Sequence, residues 1–179
     1  MKGAPTGGVV LGLEVEAASC TWALVRLTEQ GSQVIQCGVL RARSPWSNRK
    51  PEAVEGDTRA FAEFAGLLRV VMNREHLEAV VRTMGKPTVE MGRVLGVTDA
   101  AAAEVGHLAE VDTTSAQRWA RHVSETDRQR ITSMLEEDDT SLRWSGSVLR
   151  AVGAVLAAGD VDELVSSVRR LRRPGPQRT

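Results

Sequence analysis

The sequence contains no tyrosine, two phenylalanines and four tryptophans, so aromatic residues make up only 3% of its 179 positions. A core of that composition must be built from aliphatic and alanine packing, and each tryptophan becomes conspicuous. Two cysteines, Cys20 and Cys37, exclude a disulfide-rich scaffold, and no CxxC pair or Cys/His cluster has the spacing of a zinc site. The two fall on neighbouring strand-like segments and could face each other. The opening residues lack the apolar stretch of a secretory signal, so both read as reduced thiols and the expected location is the cytoplasm. No apolar run approaches the roughly 20 residues that cross a bilayer; the longest, 148–158, is interrupted by Arg150 and Gly153. Nor does one sign of charge prevail, since 23 Lys and Arg balance 23 Asp and Glu. Any surface for a polyanion must therefore come from local clustering. Lysine itself is scarce, with Lys2, Lys50 and Lys86 alone among a positive charge that is otherwise arginine. Arginine suits phosphate and base-edge recognition, although an arginine bias beside abundant Ala, Val and Gly is also what a GC-rich genome produces.

What is present is a strand-first chain of a length suited to one domain. It opens on Gly8-Val9-Val10-Leu11-Gly12-Leu13-Glu14-Val15-Glu16, an apolar run that ends in carboxylates, followed by strand-like runs at 20–28 and 33–41 separated by a turn. A loop with Pro45 and Pro51 follows. Phe61, Phe64, Ala65, Leu68, Val71 and Met72 recur at helical spacing, predicting a helix from near Asp57 or Thr58. Residues 77–84 read as a fourth strand with Ala79, Val80 and Val81 at its buried centre. The segment 88–105 reads as a helix in which Gly92 and Gly96, one turn apart, permit close approach of the sheet or of a second copy. A short fifth strand at 107–111 and a short helix at 113–122 come next. Ser124-Glu125-Thr126-Asp127 has capping-box spacing and opens a helix through Ile131, Met134 and Leu135. The acids at 136–139 oppose a helix dipole and read as a solvated loop. A last apolar helix spans 142–158, and a short helix through Leu164 and Val168 leads into an arginine-rich tail. This order fits a mixed five-stranded α/β sheet with helices on both faces. The expected division is a disordered 1–8, a domain over 9–160, and a short helix with a basic tail over 161–179.

That order, with these local sequences, resembles the RuvC family of Holliday-junction resolvases, within the ribonuclease-H-like fold. Val10-Leu11-Gly12-Leu13-Glu14 is similar to the family's first strand ending in Gly-hydrophobic-Asp, and Met91-Gly92-Arg93-Val94-Leu95-Gly96-Val97 to its Leu-Gly-x-x-x-Gly-Val stretch. Arg118 falls near a DNA-contacting lysine of the family, and 124–135 resembles the helix that follows. The resemblance implies four acidic or near-acidic ligands converging on two magnesium ions that activate water and stabilise the leaving oxygen of a phosphodiester. Carried over position by position, those ligands fall at Glu14, Arg82, Trp144 and Ser147, of which only Glu14 is a carboxylate.

One carboxylate in four positions cannot hold two divalent ions, and a guanidinium at the second repels them. The expectation is a resolvase-like scaffold without a metal or other cofactor, in which Arg82 pairs with Glu14 across the former site. Glu16, Glu78, Glu90, Asp112 and the acids at 136–139 are the carboxylates from which a site could otherwise be rebuilt; a magnesium site rearranged around Glu14 and Glu16 is the enzymatic alternative. Ser19, Ser147, His76, His107 and His122 form no nucleophile–base spacing. The resemblance implies a homodimer that holds branched DNA on a basic face, here Arg82, Lys86, Arg93, Arg118, Arg121 and Arg128. Trp119 and Trp144 could stack on bases, with core packing the simpler use of both. Neither a membrane nor a small-molecule substrate is expected as a partner, and a protein-interaction module on the same scaffold is the third reading.

Overall fold

Continuous burial along the first strand decides the architecture. In the computed structural model, which describes residues 8–16, 19–28, 31–41, 51–73, 77–84, 89–105 and 108–158, β1 (Val9–Val15) is buried along its whole length. A strand covered on both faces belongs at the centre of a sheet. It pairs antiparallel with β2 (Ser19–Thr28), which pairs antiparallel with β3 (Gly31–Arg41). On its other edge it pairs parallel with β4 (Leu77–Met84), which pairs parallel with β5 (Leu108–Asp112). The order is β3-β2-β1-β4-β5, the mixed five-stranded sheet that the sequence predicts.

The side-chain period of two divides this sheet into two faces. Leu11, Leu13, Leu24 and Val80 point to one side and pack on Phe64 and Leu68 of α1 (Pro51–Asn73) and on Val94 and Val97 of α2 (Val89–Val105). Val10, Ala23, Val25 and Val81 point to the other and pack on Val148, Ala151, Val152 and Val155 of α5 (Ser145–Ala157), with α3 (Thr113–Ala120) and α4 (Glu125–Glu137) completing that layer. Two glycines fix α5. A Cβ on Gly12 would collide with the Ala151 carbonyl, and one on Gly153 with the Ala116 carbonyl of α3. The helix therefore rides on the backbone of β1 and against α3, which carries its first turns over the end of the strand.

Element boundaries depart from the sequence reading in instructive places. Helix α1 begins at Pro51 rather than near Asp57, with proline at a helix start, where its missing N–H is no loss. Gly92 and Gly96 are exposed on α2 and a Cβ at either would meet nothing within 4 Å, so neither serves contact with the sheet. Ser124 does cap α4, accepting from the Asp127 amide at 3.2 Å. The Asp127 carboxylate turns instead to the outer strand and accepts from the Val34 amide at 3.1 Å, while Arg130 donates to the Val34 carbonyl at 3.1 Å. This pair covers one N–H and one C=O of the edge strand beside its irregular register with Leu24 and Val25. Held this way, α4 runs through Glu137, so the first two acids of 136–139 are helical; the turn follows at Asp138 and Asp139, the latter at φ 51°. The apolar segment from 142 divides into a 3₁₀ turn, Leu142–Trp144, and α5.

Cys20 and Cys37 lie on opposite faces of the sheet and are both free and buried, which removes the idea that they face each other. No helix among the described residues is long and apolar enough to cross a membrane. The expectations for 1–7, for the proline loop at 42–50 and for everything from 159 onward lie outside the described residues.

Candidate functional site

Glu14 sits near the C-terminal end of β1, 6% exposed, on the face covered by α5. Its partner across β2 is Thr21. On the β4 side the paired register ends with Gly12 opposite Val81 and Leu13 opposite Arg82; Thr83 is the next residue of that strand, and both threonines are buried. From above, α5 lowers Arg150, whose Nε donates to Glu14 Oε1 at 2.9 Å. The same guanidinium donates through Nη2 to Ser147 Oγ at 3.0 Å. Ser147 Oγ in turn donates to Glu16 Oε1 at 3.3 Å, and Ser19 Oγ to Glu16 Oε2 at 3.2 Å. Glu14, Arg150, Ser147, Glu16 and Ser19 thus form one continuous polar chain across the end of the sheet.

The chain leaves some groups over. Glu14 Oε2, Thr21 Oγ1 and Trp144 Nε1 are buried with no hydrogen-bond partner among the described residues. Burial pushes the neighbouring Cys20 thiol well above its ordinary range, and the carboxylates of Glu14 and Glu16 raise it further. Trp144 stands one turn before Ser147, at the junction of the 3₁₀ turn and α5. The guanidinium carbons of Arg41 and Arg143 lie over its ring, 5.3 and 5.1 Å from the centroid.

Arg82 is not part of this cluster, which corrects the expected Glu14–Arg82 pair. The reason is register. Arg82 is opposite Leu13, whose side chain points to α1 and α2, so Arg82 points there too, and Glu14, one residue on, points away. The guanidinium, 5% exposed, donates to Thr98 Oγ1 at 2.7 Å, Asp99 Oδ1 at 2.5 Å, the Leu95 carbonyl at 3.2 Å and the Glu110 carboxylate. It ties β4 to α2 and β5. The next residue of β4 after Arg82, on the alternate face of the strand, is the neutral Thr83.

A divalent ion of the magnesium type takes several oxygen ligands, most of them anionic or water. Here one oxygen of Glu14 is already hydrogen-bonded to a guanidinium, and among the described residues no three His, Cys, Asp or Glu side chains converge. The donor set does not fit such an ion.

Of the four basic residues expected to face nucleic acid whose side chains are described, two are exposed: Arg118 and Arg121, at the end of α3. Trp119 between them is 43% exposed, its ring 5.5 Å from that of His122, so core packing is not its use. Arg82 is enclosed as described. Arg128 is committed within the fold, donating to the Ala120 carbonyl at 2.7 Å and the Val123 carbonyl at 3.1 Å, where it closes the end of α3. Lys86 and the side chain of Arg93 lie outside the described residues. Sequence reasoning missed Arg150, Arg41 and Arg143. For Arg150 a signal existed: it is the one charge inside an otherwise apolar helix, three residues after Ser147.

No family model matches the chain, and no curated protein does. Solved structures do. A Thermus thermophilus RuvC in complex with Holliday junction substrate superposes with a TM-score of 0.58 at 14% identity, over 89% of this chain and 95% of that one. A second structure of T. thermophilus RuvC gives 0.57 at 14% identity over 89% and 97%. The fold is therefore ribonuclease-H-like, as strand order and the two helical layers define it. Within that class it is the RuvC-type fold, nearly complete.

Proposed function

We propose that this chain is a cytoplasmic RuvC-type protein that binds branched DNA as a homodimer in recombination or repair, without metal-dependent cleavage. The observation that carries the reading is Arg150, a protein-borne cation hydrogen-bonded to Glu14 where the resemblance calls for a metal ion. Neutral Thr83 and Ser147 beside it supply no anionic ligand. Support for DNA comes from the near-complete match to a fold solved with a Holliday junction substrate, and from exposed Arg118 and Arg121 beside exposed Trp119. Support for a dimer comes from Leu67 and Val70, both large, apolar and exposed on α1, and from the outward-facing Gly92 and Gly96 on α2.

The test is a gel-shift and cleavage assay on a four-way junction against linear duplex, with magnesium or manganese, beside an Arg118→Ala/Arg121→Ala variant. Salt-sensitive junction binding without nicking is expected, with the double variant weaker and its salt slope reduced by about 2, one phosphate contact per arginine. Cleavage that disappears in Glu14→Ala would replace this reading with the rearranged magnesium site. Absence of both activities would leave the interaction module.

A further inference from the structure

We propose that Arg41, Arg143 and the indole N–H of Trp144 form a phosphodiester-binding site at the start of α5, taking a DNA backbone phosphate by guanidinium rather than by metal. The inference rests on the DNA-binding reading above and deepens it by naming where the backbone is held.

Three observations converge. First, both guanidinium carbons lie within 5.3 Å of the centroid of one indole. The two charges are then no more than about 10 Å apart, two cations presented on one small surface, with their mutual repulsion largely screened at about 0.1 M salt. Both arginines are exposed, and neither forms an ion pair or side-chain hydrogen bond with a described residue. A guanidinium over an aromatic ring keeps its N–H edges for an oxygen acceptor, the arrangement that suits phosphate. Second, Trp144 Nε1 is buried with no acceptor among the described residues, and an orphaned donor beside two free cations is satisfied by an anionic oxygen. Third, Trp144 stands where the 3₁₀ turn runs into α5 and makes no side-chain capping bond, so its indole is not committed to closing the helix start.

The nearby acids do not cancel this charge. Glu14 is matched by Arg150, and Glu16 is held by the hydroxyls of Ser19 and Ser147. Arg41, Arg143 and Arg150 outnumber the two carboxylates. Where the resemblance implies acids that bind cations and thereby phosphate, this chain presents the cations directly.

The experiment is fluorescence anisotropy of the full-length protein with a labelled four-way junction and with linear duplex, titrated with salt, in EDTA and in magnesium. Wild type, Arg41→Ala/Arg143→Ala, Arg41→Lys/Arg143→Lys and Trp144→Phe are compared. The alanine pair is expected to weaken binding about 10- to 100-fold at ~0.1 M salt and to reduce the salt slope by about 2. The lysine pair should keep the slope, and Trp144→Phe should weaken binding a few-fold while retaining it. Wild-type binding should need no magnesium, with affinity in EDTA at least equal to that in magnesium, which competes for the phosphates, and melting temperatures should change little for the arginine variants, both residues being exposed. An alanine pair with wild-type affinity and slope overturns this site and leaves DNA binding standing. A magnesium requirement overturns the guanidinium mechanism alone. A wild type that binds no DNA overturns both.

Discussion

Removing the guanidinium that faces Glu14 is the sharpest perturbation the structure offers. In Arg150→Met the apolar stem of the side chain is largely kept and the charge is lost, leaving a carboxylate whose side chain is 8% exposed with neither its cation nor, at Oε2, any other partner. Breaking a buried ion pair by deleting one member costs about 3–5 kcal/mol. The Arg150 side chain is 28% exposed, so some water already reaches the pair, and about 2–4 kcal/mol is the appropriate range. For a chain of this size each kcal/mol moves the melting temperature by about 2–4 °C, which places the expected loss at about 5–15 °C. Glu14→Gln should cost less, about 1–2 kcal/mol, because the orphaned arginine can turn toward solvent. The assay is urea and thermal unfolding of wild type, both single variants and the double variant. A coupling energy above about 1 kcal/mol is expected for groups in direct contact. Coupling below about 0.5 kcal/mol, or a wild-type melting temperature that rises in magnesium, would refute the claim that Arg150 is the cation this site uses.

The two kinds of glycine give opposite signs under the same substitution. Gly153→Ala gains up to about 1 kcal/mol of helix propensity but drives its Cβ into the Ala116 carbonyl, so a net loss of about 1–3 kcal/mol is expected in chemical denaturation. Gly96→Ala meets nothing within 4 Å and should stabilise the isolated chain by up to about 1 kcal/mol; if it instead dissociates a dimer in light scattering, α2 lies at the interface. The buried thiols predict alkaline weakness. Cys37 is pushed by burial from 9.0 to about 12, and Cys20 is raised as well, burial being the larger cause in both. The unfolded chain then loses these protons first, so the contribution is fully present below about pH 9 and declines toward pH 12 at up to about 1.4 kcal/mol per pH unit per thiol. Unfolding midpoints measured from pH 8 to 11 in Cys37→Ser against wild type should show the slope reduced in the variant.

Much of the fold was legible because the strands are strongly patterned. The limits of β4 at Leu77 and Met84 were read without error, and the other strands within a residue or two, since a buried parallel strand announces itself as a continuous apolar run. Helix α1 was misplaced at its start because Pro51 was read as loop punctuation, although proline is equally at home in a first helical turn. The candidate site was half legible. Glu14, Trp144 and Ser147 do lie at one end of the sheet, but the partner of Glu14 was assigned to Arg82 from the family positions that the resemblance implies. Which face a side chain takes depends on inter-strand register, and register across the separation from β1 to β4 is not written in either segment alone. For Arg128 the structure adds what sequence could not give, its donation to the Val123 and Ala120 carbonyls, since a lone arginine near a helix end is as well suited to closing backbone carbonyls as to touching phosphate.

Two arginines inside the fold are already paired, the buried Arg82 and the partly exposed Arg150. Arg82 and Arg150 each occupy a site on one face of the same central strands, and each is matched: Arg82 by Asp99 and Glu110, Arg150 by Glu14. Neither is free to meet a ligand, so the charge available to one must come from arginines without carboxylate partners. On the described surface of the α5 side these include Arg118 and Arg121 near the end of α3 and Arg41 and Arg143 at Trp144. Gly153 packs α5 on α3 and Gly12 packs it on β1, so the end of α3 that carries Arg118 is held against the same helix that Trp144 opens. Two separate cationic patches fit an extended polyanion better than a compact anion. If both patches engage one DNA, their alanine variants should combine to a loss of salt slope near the sum of the two, about 4; if they compete for the same phosphates, the combined loss will stay near that of one patch.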